Sequence, residues 1–275
     1  LPVAVLLLLA VAVLFVSEGA EAIDHEWSYT TGGDVHAVSI SADGEYIAAG
    51  SYDDKVYLFD KDSSTPLWSY TTENYVRSVA ISADGEYIAA GSADNKVYLF
   101  YKDGSTPLWS HTTGNDVHSV SISADGEYVV AGSDKIYLFD KDSNTPLWTY
   151  SAGDAVYSVA ISDDGEYIAV GSFNNKVYLF DKDSSTPLWS YSTAGQVWSV
   201  SISSDGKRLA LTDRNNNRIL IWESIPTSNI APDIVIGQLN FETHMEGKSL
   251  SELDFPGQVS LSKDGKMLVA DSNNN

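Results

Sequence analysis

After its first 22 residues the chain alternates apolar and polar positions in short runs and nowhere keeps a helical spacing. Val76 to Ser82 predicts one strand, with Arg77, Val79 and Ile81 on one face. Ala83-Asp84-Gly85 predicts a tight hairpin turn, because Asp and Gly tolerate the left-handed backbone angles it needs. Glu86 to Ser92 is a second strand, Ala93-Asp94-Asn95 a second turn, and Lys96 to Tyr101 a third strand. In that third strand Val97, Leu99 and Tyr101 oppose Tyr98 and Phe100. A polar loop, Lys102 to Pro107, leads to a short fourth strand, Leu108 to Thr112, which carries Trp109. β-branched and aromatic residues fill the strands.

This unit recurs. Asp-Gly pairs stand at 43–44, 84–85, 125–126, 164–165 and 205–206, at steps of 41, 41, 39 and 41, and Asp264-Gly265 follows after 59. Trp27, Trp68, Trp109, Trp148 and Trp189 keep the same spacing. Four short antiparallel strands in about 40 residues is the arithmetic of a propeller blade. One blade cannot cover its own apolar faces, so neighbours must stack, with the Tyr, Phe, Trp, Val and Ile rows between them. An open β-solenoid usually repeats at a shorter period. The expected fold is an all-β propeller of four-stranded antiparallel blades. Innermost strands are expected at 35–41, 76–82, 117–123, 156–162, 197–203 and 257–262, giving five blades and part of a sixth. Glu26–Thr31 resembles the outer strand of a preceding blade and would close a ring. Lys266 to Asn275 repeats the pattern of Lys207 to Asn217, which runs on into another strand. The sequence is therefore expected to be a piece of a longer chain, with six or more blades and seven as the favoured count.

Composition narrows the function. Leu1 to Val16 is apolar apart from Pro2, and Ala20-Glu21-Ala22 is a small-x-small pattern, so residues 1–22 are expected to be a secretory signal peptide. Uncleaved, they would be an anchor, the only route to a membrane. The absence of Cys removes disulfides, thiolate metal sites and cysteine nucleophiles. A net charge of −22 makes a nucleic-acid backbone or an anionic membrane a poor partner. It suits a saline or extracellular medium instead.

The stretch Val117 to Asp140 resembles a WD-repeat unit in its Asp-Gly turn, its Gly-Ser strand end and its aromatic third strand. It departs from that family in closing with Phe-Asp, as at Phe59-Asp60, and in lacking an evident His–Asp pair. Lys176 to Ser192 is similar to the repeat of quinoprotein (PQQ-type) propellers. Arg218 to Trp222, Pro232 to Gln238, Asp264-Gly265 and Ala270-Asp271 resemble NHL-repeat propellers. These resemblances imply WD- and PQQ-like repeats over 23–222 and an NHL-like part of the same ring over 223–275. They speak for fold more than for activity.

Within Val-x-[Ser/Ala]-Val one position varies while its surroundings repeat: His36, Arg77, His118, Tyr157 and Trp198. It opens each innermost strand at the mouth of the channel, beside Asp34, Tyr75, Asp116 and Gln196 from the preceding loops. Turns between second and third strands are expected to bring Tyr52, Asp53, Asp94, Phe173 and Asn174 to the same rim. This mix suits a protein, peptide or glycan ligand. Packing between blades is the alternative use of these side chains. Three loops, Asp60-Lys61-Asp62, Asp140-Lys141-Asp142 and Asp181-Lys182-Asp183, begin as calcium loops do, but lack the sixth-position Gly and the distal Glu. Self-capped turns are the favoured reading, and no cofactor is expected. His25, His36, His111, His118 and His244 show no metal spacing. The expectation is a secreted or cell-surface binding and scaffold module, not an enzyme. The alternative is a quinoprotein-type oxidoreductase or NHL-type lyase with its catalytic residues further along the chain.

Overall fold

The computed structural model describes residues 26–226, 228–237, 253, 256–262 and 266–271. The expected signal peptide, His25, His244 and Asp264-Gly265 lie outside them. The first sheet comprises β1 (Val35–Ile40), β2 (Tyr46–Ser51), β3 (Lys55–Asp60) and β4 (Trp68–Thr71). The second comprises β5 (Val76–Ile81), β6 (Tyr87–Ser92), β7 (Lys96–Tyr101) and β8 (Trp109–Thr112). The third holds β9 (Ser119–Ile122), β10 (Tyr128–Gly132), β11 (Ile136–Asp140) and β12 (Trp148–Tyr150). The fourth holds β13 (Val156–Ile161), β14 (Tyr167–Ser172), β15 (Lys176–Asp181) and β16 (Trp189–Ser192). In the fifth, β17 (Val197–Ile202), β18 (Leu209–Asp213) and β19 (Arg218–Trp222) are completed by β20 (Ile234–Ile236). Residues on both sides of position 222 therefore share one blade. β21 (Pro256–Leu261) and β22 (Met267–Asp271) pair as the start of a sixth. Every pairing is antiparallel between sequential strands, and β1, β5, β9, β13, β17 and β21 lie side by side. The only helical turn among the described residues is the 3-10 turn Arg214–Asn216.

The Asp-Gly hairpins are built alike. Ser41 Oγ donates to Asp43 Oδ1 at 2.6 Å, Glu45 N donates to the same oxygen at 3.0 Å, and Tyr46 N donates to Ser41 Oγ at 3.0 Å. The same three bonds recur around Asp84, Asp125, Asp164 and Asp205. These bonds hold the Asp43 and Asp205 carboxyls below the usual carboxylate range, the serine hydroxyl contributing most.

The core lies between blades, as the two-faced third strands require. Val56 and Leu58 face forward with Trp68 and Tyr70, and meet Ile88, Tyr98 and Phe100 of the second sheet. Val97 and Leu99 in turn meet Tyr137 and Phe139 of the third. Polar bonds reinforce the stack. Trp68 Nε1 donates to Lys102 O at 2.8 Å, Trp109 Nε1 to Lys141 O at 2.7 Å, and Trp148 Nε1 to Lys182 O at 2.7 Å. Trp189 Nε1 donates to Pro226 O at 2.6 Å. Nearer the axis Val120 N donates to Ser78 Oγ, Val159 N to Ser119 Oγ, Val200 N to Ser158 Oγ and Val259 N to Ser199 Oγ. A serine at this position thus completes a backbone donor in the next blade.

Glu26–Thr31 differs from its expectation. It forms no strand among the described residues. Its side chains nevertheless occupy an outer-strand place: Trp27 Nε1 donates to Lys61 O at 2.6 Å, and Trp27 and Tyr29 pack on Phe59 as Trp68 and Tyr70 pack on Phe100. The indole and phenol anchor the segment without a neighbouring strand to ladder it.

Candidate functional site

In four of the five units the variable position is the extra residue of a β-bulge. In the first sheet Val35 pairs with Ser51 and Ala37 with Gly50, leaving His36 over. Arg77, Tyr157 and Trp198 are left over in the same way. The expectation that Arg77 shares a face with Val79 and Ile81 is therefore corrected. Val76, Val79 and Ile81 are the buried set, and the bulge swings Arg77 out of that alternation. His118 stands just before β9, with Val117 N bonded to Ser92 O of the preceding blade at 3.0 Å and its own N to Gly132 O at 2.9 Å. Val76, Val117, Val156 and Val197 are each docked over a glycine near the end of the preceding blade's second strand. A Cβ on Gly50 would stand 2.6 Å from Val76 Cγ1. Rigid backbone thus presents a freely chosen side chain.

These side chains join into one arc. His36 stacks on Tyr52 at 5.1 Å, and Tyr52 leans on Tyr75 at 4.8 Å. The Arg77 guanidinium lies over the Tyr75 ring at 4.9 Å, pairs with Asp116 at 2.7 Å and donates to Tyr75 Oη at 3.2 Å. His36 Nδ1 lies 2.9 Å from Arg77 O. Further round, the His118 ring stacks on Tyr157 at 4.3 Å, and Tyr157 stacks on Phe173 at 3.7 Å. Trp198 packs against both Tyr157 and Phe173 at 5.2 Å, and the Arg214 guanidinium lies 4.0 Å above Trp198. Burial, then the Arg77 charge, pushes the His118 pKa down and so favours the neutral ring. Asp34 and Gln196 join through their carbonyls, which accept from Tyr52 N and Arg214 N.

Asp53, Asp94 and Asn174 serve differently from the expectation. They sit in the turns beside the rim but pin the blades. Asp53 Oδ2 accepts from Gly32 N at 2.7 Å and Tyr57 Oη at 2.6 Å. Asp94 Oδ2 accepts from Glu73 N at 3.0 Å and Tyr98 Oη at 2.6 Å. Asp134 Oδ1 accepts from Gly114 N and Tyr137 Oη, and Asn174 Nδ2 donates to Ala152 O and Tyr178 Oη. Burial first, then the aspartate bond, raises the phenol pKa of Tyr57 and Tyr98 and pushes that of Tyr137 up to about 12. Sequence reasoning missed Asp134 and Arg214. Arg214 occupies the turn position held by Tyr52, Ala93 and Phe173 in other units, a correspondence available from the repeat itself.

The acidic loops have partners of their own. Asp62 N donates to Asp60 Oδ1 at 2.9 Å, Asp142 N to Asp140 Oδ1 at 2.9 Å and Asp183 N to Asp181 Oδ1 at 2.8 Å. Lys61, Lys141 and Lys182 pair with the aspartate that follows each of them. Their carbonyls receive the indoles of Trp27, Trp109 and Trp148. Each loop is a self-capped turn that fastens a blade. Among the described residues no three His, Cys, Asp or Glu side chains converge as a metal ion requires.

The model of the WD domain, G-beta repeat family matches residues 25–60, 64–100, 105–137 and 144–181, together a little over half of the chain. No curated protein matches. Among solved structures, a chain of the "Mitotic Checkpoint Complex" is similar at a TM-score of 0.74 and 18% identity, covering 87% of this chain and 74% of that one. The β-propeller domain of Myceliophteria thermophila Cps50 (Swd1) is similar at a TM-score of 0.71 and 14% identity, covering 89% of this chain and 82% of that one. At these identities the structural likeness speaks for the propeller fold alone.

Proposed function

We propose, from the premise that this chain belongs to the WD-repeat (G-beta repeat) family, that it is a protein-interaction scaffold whose partners dock on the arc from His36 to Trp198. The observation that carries this reading is the bulge. Repeated blades vary the one residue that opens the innermost strand, and in four of them a bulge swings that residue out of the buried alternation. Arg, Tyr and Trp dominate that set and also dominate the energetics of protein interfaces. One of the similar folds is itself solved as part of a complex. Export to the outside of the cell, as the apolar residues 1–22 suggest, and a peptide rather than a nucleic-acid ligand belong to the same proposal. The alternative of a propeller enzyme draws no support from the rim histidines: His36 Nδ1 lies against the Arg77 carbonyl, and the His118 ring lies flat on Tyr157.

The test replaces Arg77 and Trp198 together by Ala. A partner captured by the wild-type chain is identified, purified and titrated against both forms. The double variant is expected to bind it at least about tenfold more weakly, as loss of two interface anchors predicts. Undiminished affinity refutes the rim as the docking face.

A further inference from the structure

The rim's unpartnered hydrogen-bond donors point to its ligand: the geometry assigns to this arc a peptide segment that presents a carboxylate. The inference rests on the docking face proposed above and adds the chemistry of what docks there. Two buried donors on the innermost strands, Arg77 Nε and Trp198 Nε1, have no acceptor within the protein. A buried donor without a partner is destabilising, and an incoming acceptor relieves that cost. Two buried acceptors, Asp53 Oδ1 and Asn174 Oδ1, also lack a partner, but they belong to turn residues whose other side-chain atoms pin the blades.

Charge agrees. Asp116 Oδ2 accepts from the Arg77 guanidinium at 2.7 Å, and one oxygen each of Asp53, Asp94 and Asp134 accepts from a backbone amide and a tyrosine. The chain has four arginines, Arg77, Arg208, Arg214 and Arg218. Arg77 and Arg214 lie over rim aromatics, and Arg77 keeps the Nε–H of its planar fork unspent beside the Asp116 pair. The net charge of −22 opposes an anion at a distance. At physiological salt that repulsion is screened over about 8 Å, whereas the guanidinium acts in contact. One rim ring is closed to a stacking sugar. Tyr157 has one face covered by His118 and the other by Phe173, so it offers no open ring for stacking.

The experiment pans a phage-displayed random peptide library on the whole chain. Enriched sequences are synthesised with a fluorescent label, alongside counterparts in which each carboxylate is replaced by its amide. The expected result is enrichment of peptides with an Asp, a Glu or a free C-terminus, and a loss of about tenfold or more in affinity for the amide counterpart. R77Q, which keeps a similar length, and W198F, which keeps a ring but no N–H, are expected to weaken the acidic peptide. R77K falls between R77Q and the wild type, since an ammonium keeps charge without the fork. L147S, in an exposed loop between β11 and β12, leaves binding unchanged. Melting curves confirm that each variant is folded. Peptides without carboxylates that still lose affinity in R77Q and W198F overturn the ligand chemistry but leave the docking face. Peptides indifferent to every rim variant overturn both. Failure to enrich any peptide, or rim-dependent binding on a glycan array instead, overturns the peptide inference.

Discussion

A single hydroxyl does unusual work in these blades. Tyr57, Tyr98 and Tyr137 each carry a phenol into the hairpin between second and third strands and donate there to an aspartate. That aspartate in turn takes an amide from the chain entering the rim, at Gly32, Glu73 and Gly114. Removing one hydroxyl leaves a part-buried carboxylate short of a donor. Y98F is therefore expected to cost about 1–2 kcal/mol in urea unfolding. The pH dependence has a definite sign. The folded phenols hold their protons more tightly than the unfolded ones, whose pKa is 10.0. Their contribution is complete below pH 10 and declines as pH rises toward the folded values. Denaturation midpoints are expected to fall above pH 10 in the wild type, and less steeply in Y98F. A phenolate band that develops fully at pH 10 without unfolding would contradict this. The bond was hidden from the sequence because tyrosines three or four residues after an Asp read simply as strand aromatics.

At the scale of the element, the unit is a hairpin of hairpins whose turns are matched to the next blade. Gly44 and Gly85 have the same left-handed backbone, with φ of 76° and 73°. A methyl group at Gly85 would stand 2.4 Å from the Tyr46 ring of the preceding blade, whereas at Gly44 it would meet nothing within 4 Å. Both alanine replacements carry the backbone cost of about 1 kcal/mol. G85A is expected to lose clearly more, by about 1–3 kcal/mol for overpacking, and equal melting temperatures would show that Tyr46 simply moves aside. Much of this level was legible. Asp-Gly turns, alternating Val, Tyr, Leu and Phe, and a Trp at fixed spacing located the strands of the second blade to within one residue. Two features escaped. The bulge at Arg77 leaves no mark in an alternating pattern, since either side of it still alternates. Glu26–Thr31 has strand-like residues, but pairing is a property of neighbours and not of the segment. The rim's variable residues stood out, but which of them lack partners depends on atoms brought together from different blades.

For the whole molecule, position along the stack decides what a residue contributes. Val79 and Ile81 on the second innermost strand are 7% and 9% exposed, but their equivalents on the first, Val38 and Ile40, are 41% and 50% exposed. The same chemistry is core in one blade and surface in the other. I81S is expected to destabilise by about 3 kcal/mol or more, since it removes buried apolar area and buries a hydroxyl. I40S is expected to cost under about 1 kcal/mol in the same assay. Comparable losses for the two would mean that in solution something covers the first blade's free face. The indole contacts have a further consequence. Each reaches forward by a similar distance in sequence, from 32 to 37 residues, and none reaches back. A polypeptide leaving the ribosome can therefore fasten one clasp with every wedge it completes, each wedge held by the stretch of chain that emerges next.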